Sequence, residues 1–210
     1  MLPWVAVWSG VPMELEVISA LLVFSFVSSV TPGPNNFMLL ASGVNFGLRR
    51  TLPHMVGIAF GFCSLLLAVG FGLGALLSAF PQLQLVLKFC GGAYLTYLAW
   101  RIATSRSMGK GNDETQQPLT FLQAAAFQWV NPKAWVMGVT AMAIYTSTSA
   151  PYLSVVIVAL GFVTMAVPTF YIWAGFGVAL RGFLSDPVRL KYFNIVMGLA
   201  LIATLWPMLS

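Results

Sequence analysis

The chain has 210 residues, of which 59% are hydrophobic and only 7% charged, with a mean hydropathy of +0.89. A soluble domain is about one quarter charged, so this composition excludes a soluble fold, a disordered chain and a nucleic-acid binder. The net charge of +5 comes from cations scattered over short segments, the signature of membrane orientation rather than of an acidic partner.

Residues 1–12, MLPWVAVWSGVP, read as an N-terminal tail or a misassigned start, with Met13 a more ordinary beginning. No Lys or Arg precedes the apolar stretch that follows, so a signal peptide is not expected. A membrane-spanning helix needs about 20 apolar residues. The first predicted span runs over Leu15–Phe46 and is interrupted by Thr31-Pro32-Gly33-Pro34-Asn35-Asn36. The second runs over His54–Phe80 and stops at Pro81, and the third over Leu83–Ala103. Residues 104–118, TSRSMGKGNDETQQP, form the one long polar loop. The fourth span, Leu119–Tyr145, is interrupted by Asn131-Pro132; the fifth, Tyr152–Leu180, contains Pro168; the sixth covers Leu190–Leu209.

The expected fold is an all-α integral membrane protein, with one three-helix repeat in residues 13–103 and a second in 119–210. Three is odd, so the second repeat runs inverted relative to the first. Each opens with a broken helix, and at 1.5 Å per residue both breaks fall near the bilayer midplane. Paired broken helices in corresponding positions of two inverted halves point to a transporter binding site. Arg49, Arg50, Arg101, Arg106, Lys110, Arg181, Arg189 and Lys191 all follow odd-numbered spans. Those loops, including 104–118, are therefore expected in the cytoplasm and both termini in the periplasm of a bacterial inner membrane.

At the first break, Pro32 and Pro34 remove two backbone donors and Gly33 loosens the chain. Proline suits the first turn of a new helix, so the helix is expected to restart near Pro34. Its free N–H groups and positive dipole end would attract a carboxylate, with Asn35 and Asn36 adding amides. The carbonyls of Ser29, Val30 and Thr31 are left to receive an ammonium group. A bare proline kink does not require Thr, two Pro, Gly and two Asn together. In the second break, Asn131, Pro132 and Lys133 repeat the pattern. A Lys at the midplane costs a few kcal/mol or more and marks function, the alternative being a structural bond to carbonyls at the first break. His54, at the cytoplasmic start of the second span, is the one side chain suited to proton exchange at neutral pH.

Absences narrow the function further. Glu14, Glu16, Asp113, Glu114 and Asp186 are the only acids, and none lies within a predicted span. A carboxylate proton relay and an acidic clamp for a basic side chain are therefore not expected. One His with no intramembrane acid supplies neither a metal cluster nor a nucleophile–base pair, so no enzyme, metal or cofactor is expected. Cys63 and Cys90 lie in the second and third spans, away from both breaks, which argues against the alternative of a thiol-redox carrier; a channel is the other alternative. Gly57-x-x-x-Gly61 and Gly70-x-x-x-Gly74 permit close helix packing within a protomer or in a homodimer.

The TPGPNN stretch, Gly91-Gly92-Ala93-Tyr94-Leu95 with Trp100, and Phe127 with Asn131-Pro132-Lys133-Ala134 resemble the lysine exporter (LysE/RhtB) family of inner-membrane amino-acid exporters, over about residues 13–209. The resemblance implies six helices in two inverted repeats and efflux of amino acids or related metabolites by proton exchange. Thr31, Pro32, Gly33, Pro34, Asn35, Asn36, Asn131, Pro132 and Lys133 match the family's motif positions. LAWRIATS is similar to the cysteine/O-acetylserine branch, which implies a neutral substrate. The basic-amino-acid branch tends to carry an acid shortly after its Asn-Pro, where this chain has the apolar Met137.

Overall fold

The structure is a computed structural model and describes residues 14–106, 108 and 117–206. The expected tail over 1–12 and most of the polar loop lie outside the described residues. The described residues are helical throughout, without strands. In chain order the helices are α1 (Leu15–Val30), α2 (Pro34–Phe46), α3 (Leu48–Ala68), α4 (Gly74–Ala79), α5 (Pro81–Thr104), α6 (Phe121–Val130), α7 (Pro132–Tyr145), α8 (Pro151–Leu180) and α9 (Pro187–Ala203).

Local chemistry sets most boundaries. Pro34, Pro81, Pro132, Pro151 and Pro187 each open a helix, the position where a missing N–H costs nothing. Thr120 and Gln123 form a capping box at the start of α6, and Asp186 accepts from Val188 and Arg189 N–H groups at the start of α9. Gly47, with φ of 78°, makes the one-residue turn between α2 and α3, a conformation that side chains disfavour. Pro168 leaves α8 unbroken over its 30 residues.

Three features differ from the sequence reading. The second predicted span begins at Leu48, not His54, so His54 sits about 9 Å inside the helix. A π-helical turn at Val69–Leu73, with Gly72 at φ 113°, joins α3 to α4. Glu16 falls inside the first predicted span, Leu15–Phe46, contrary to the reading that no acid does, but it is exposed in the first turn of α1.

The surface is apolar and the interior holds the polar groups. Phe60, Trp100 and Tyr152 are 61%, 62% and 75% exposed, whereas Ser25, Asn36, Asn45, His54, Gln128, Asn131 and Asn194 are buried. Only hydrocarbon solvent makes that arrangement favourable. Leu48–Leu73 and Pro151–Leu180 are each long and apolar enough to cross a membrane, and α1 with α2, bent by 58°, qualify as one broken span. The remaining helices are shorter or more polar: α6 and α7 have 10 and 14 residues, and α5 carries Gln82, Gln84, Lys88 and Arg101.

Packing centres on α3 and α8, which touch each other. The first also holds α6, and the second holds α1 and α2, while α5 pairs with α9. A Cβ on Gly57 or Gly61 would collide with the α6 backbone at Phe121 and Ala125. That small-residue stripe therefore serves packing inside the protomer, not between protomers. Gly43 and Gly177 bring α2 and α8 equally close, each facing a backbone carbonyl of the other helix.

Candidate functional site

The two breaks meet in the middle of the bundle. α1 ends at Val30, and Thr31 and Gly33 run extended to Pro34 at the head of α2. α6 ends at Val130, and Asn131 alone separates it from Pro132 at the head of α7. Both expected interruptions are present, at the expected residues.

The carbonyls of Ser29, Val30 and Thr31 each have a defined donor. The Asn36 amide, 3% exposed, donates to Ser29 O at 2.9 Å and Thr31 O at 2.8 Å. Trp173 Nε1, from α8, donates to Val30 O at 3.2 Å. The Lys133 ammonium reaches across from α7 and donates to Thr31 O at 2.5 Å, a charge-assisted bond. The expectation that these carbonyls stand open for a substrate ammonium is thereby corrected: protein donors occupy them, one of them an ammonium. Gly33 matters here for space, since a Cβ would lie 2.8 Å from Lys133 Cδ. The lysine stem crosses the break where a side chain would be.

The helix starts differ. Asn131 Oδ1 accepts from Lys133 N–H at 3.2 Å and caps α7. At α2 the N-cap is Gly33, which has no side chain, and Pro34 has no N–H. The backbone N–H groups of Asn35 and Asn36 are thus left without a capping side chain among the described residues. Asn35 exchanges two hydrogen bonds with Gln128 of α6, at 2.9 and 3.1 Å, and Gln128 is fully buried.

These groups line one cavity of about 40 Å³, with Ser29, Asn35, Asn36, Gln128, Asn131 and Lys133 on its polar side. Ile58, Phe62, Met137, Ala166 and Phe170 form its apolar side. Such a volume holds about one small polar group. No acid lines it. Of the motif residues, Pro34, Asn35, Asn36, Asn131 and Lys133 line this cavity, while Thr31 and Gly33 touch it through Lys133 and Pro32 and Pro132 set the chain direction. The side chains of Gln128, Ser29 and Trp173 were not picked out by the sequence motifs. The signal for Gln128 was available: a long amide one turn before a break, inside an apolar span, must have a partner.

His54 is not part of this cluster. It is 1% exposed, contrary to a solvated place at the membrane surface, because α3 starts before it and α2, α5 and the 117–119 segment cover it. Its two ring nitrogens have no hydrogen-bond partner among the described residues. Cys63 on α3 is half-buried and Cys90 on α5 exposed, and the two are not bonded. No cluster of metal-ligating side chains occurs among the described residues.

Comparison with known proteins identifies the family. The LysE type translocator family matches residues 26–204. The Escherichia coli O139:H28 cysteine/O-acetylserine efflux protein is 31% identical over 198 residues, covering 90% of this chain and 96% of that protein. Its Klebsiella pneumoniae counterpart of the same name is 36% identical over 133 residues, covering 63% of this chain and 67% of that protein. The Shigella sonnei protein of that name is 31% identical over 198 residues. No solved structure matches the chain. A match over this much of the chain, on helices with membrane-crossing character and a polar break at their centre, places the protein in the LysE translocator family: it is a membrane transporter and not an enzyme.

Proposed function

We propose that this chain is a secondary-active exporter of neutral amino acids or close metabolites across the bacterial inner membrane, driven by proton exchange. Six spans, arranged as inverted repeats over 13–103 and 119–210 with both termini periplasmic, are part of this reading. The packing supports them: the broken helix of each half lies on the unbroken helix that follows the break in the other half, α6 on α3 and α1 with α2 on α8.

The observation that carries the reading is the contact of the two breaks in one polar cavity, with the Lys133 ammonium on Thr31 O beside the uncapped start of α2. An amino-acid carboxylate suits this place. It would accept from the Asn35 and Asn36 N–H groups and from the ammonium, which is free to exchange a neutral carbonyl for a charged oxygen. The substrate ammonium would be met by the amide oxygens of Asn35, Gln128 and Asn131. A second positive charge would find no acid, and burying it unpaired costs several kcal/mol, at least about a hundredfold in affinity. The names of the similar relatives support small neutral substrates such as cysteine and O-acetylserine. His54 is assigned the coupling proton, being the one histidine in the chain.

Counterflow in proteoliposomes tests this. Labelled O-acetylserine, cysteine or serine should exchange against the same unlabelled compound and run faster under an imposed proton gradient. Lysine and arginine should not compete. Competition by lysine equal to that of serine would remove the neutral preference, and exchange indifferent to the gradient would remove proton coupling. A periplasm-active reporter fused after Ser210 should be active, and one within 104–118 inactive.

A further inference from the structure

The groove between α2 and α5, with His54 of α3 at its wall, holds a second cavity. It has about 70 Å³, is lined by Ser42, His54, Leu98, Arg101 and Gln117 among others, and lies on the side of the 104–118 loop. It follows the central cavity in file. Asn35 lines the central cavity and Met38, three residues on along α2, lines the second. Ile58 of α3 lines the central cavity and His54, one turn before it, lines the second.

Much of the lining of this second cavity is apolar, and Ser42 and Asn45 are satisfied within the fold. Ser42 and Thr51 satisfy each other at 2.8 Å, and Asn45 pairs with Asn194 at 2.9 Å. His54 is different: fully buried, it has both ring nitrogens without a partner among the described residues. A neutral imidazole offers one donor and one acceptor, and burying both unmet is costly. Arg101, in the last turn of α5, holds its guanidinium by a bond to Gln117 O at 3.0 Å and over the Tyr97 ring, 5.9 Å from its centroid. A guanidinium has five N–H donors, and among the described residues no acid lines the cavity. A fork of donors beside an imidazole, with no carboxylate facing it among the described residues, matches a group carrying a carboxylate with an adjacent N–H donor.

We propose that this cavity is an inner chamber in which a zwitterionic amino acid is held, its carboxylate on Arg101 and its ammonium on His54, one helical turn short of the central site. The proposal rests on the exporter reading for the direction of travel, but the chamber's chemistry stands apart from it.

Inside-out vesicles carrying the full chain test it. Arg101→Gln and His54→Phe should each raise the half-saturating O-acetylserine concentration on the cytoplasmic side by about tenfold; Arg101→Gln should keep the maximal rate within about twofold, whereas His54→Phe, which also removes the coupling proton, should lower it. Arg101→Lys should recover most of the loss, whereas Lys133→Ala should lower the maximal rate instead. A second measurement does not depend on transport. In a background with Cys63→Ser and Cys90→Ser, Ser42→Cys should react with an anionic methanethiosulfonate from the face bearing the 104–118 loop. O-acetylserine should slow the reaction and its methyl ester should not. An unchanged half-saturation in Arg101→Gln at normal abundance, labelling only from the opposite face, or equal protection by the ester would each overturn the chamber. If the unsubstituted protein carries no amino acid, the exporter reading fails on its own. Protection of Ser42→Cys is then measured with acetate against acetamide: protection by acetate alone sustains the carboxylate site, and equal effects sink it.

Discussion

At the first break three residues, Thr31 to Gly33, separate two helices that bend by 58°. At the second a single residue, Asn131, does so. The second break is closed by its own neighbourhood: Asn131 caps α7, and Trp135 Nε1 satisfies Trp129 O at 2.7 Å. The first is closed on one side only. Its carbonyl end draws donors from α2, α7 and α8, while its N–H end has no capping side chain. The two breaks thus divide the work. One is a rigid support that aims Lys133, and the other offers backbone groups with unspent hydrogen-bonding capacity, which is where a ligand gains most.

The division can be broken by substitution. Asn36→Ala should have the largest effect on the protein itself. It strips the amide donor from Ser29 O, while Thr31 O keeps the Lys133 ammonium, and one buried orphan costs about 1–3 kcal/mol. Thermal unfolding in detergent should fall by several degrees and membrane abundance should drop; an unaltered melting curve would show that the carbonyls find other donors. Lys133→Ala should leave abundance near normal and reduce efflux about a hundredfold, the scale of a lost charge-assisted contact to a carboxylate. Full transport would reduce Lys133 to a strut. Asn35→Ala and Gln128→Ala should each reduce efflux about tenfold, and the double variant no further, because each removes the same amide pair; additive losses would mean that the two amides act separately. Asn131→Ala should be the mildest, about 1 kcal/mol of stability for a lost cap, with Asn131→Asp close to the parent. An Asn131→Ala loss as deep as that of Asn36→Ala would erase the distinction between the breaks.

What the sequence discloses about this site follows the range of the interactions. Pro32, Pro34 and Pro132 act on their own backbone, so both break positions are legible from local rules. Pro168 obeys the same rule and yet leaves α8 continuous, because neighbouring helices can satisfy a freed carbonyl. The partners of the breaks are not local. Asn35 meets Gln128 across 93 residues, Lys133 meets Thr31 across 102 and Trp173 meets Val30 across 143. No spacing rule links such residues. The burial of His54 was hidden for a related reason. Arg49, Arg50 and Pro53 mark a helix end by composition, yet α3 begins ahead of them, where Gly47 supplies the turn.

The pairing of Asn45 with Asn194 sets a schedule for synthesis. Asn36 closes on carbonyls five and seven residues behind it, so the first break can form as soon as its segment leaves the ribosome. The Asn45 amide waits for a partner 149 residues further along the chain. At about 5–20 residues per second, that is roughly 7–30 s of translation. During that interval a polar side chain at the end of α2 must be sheltered by water, by lipid headgroups or by the insertion machinery. The last helix therefore completes α2, and a nascent chain stopped before α9 leaves α2 with an exposed amide that quality control can read.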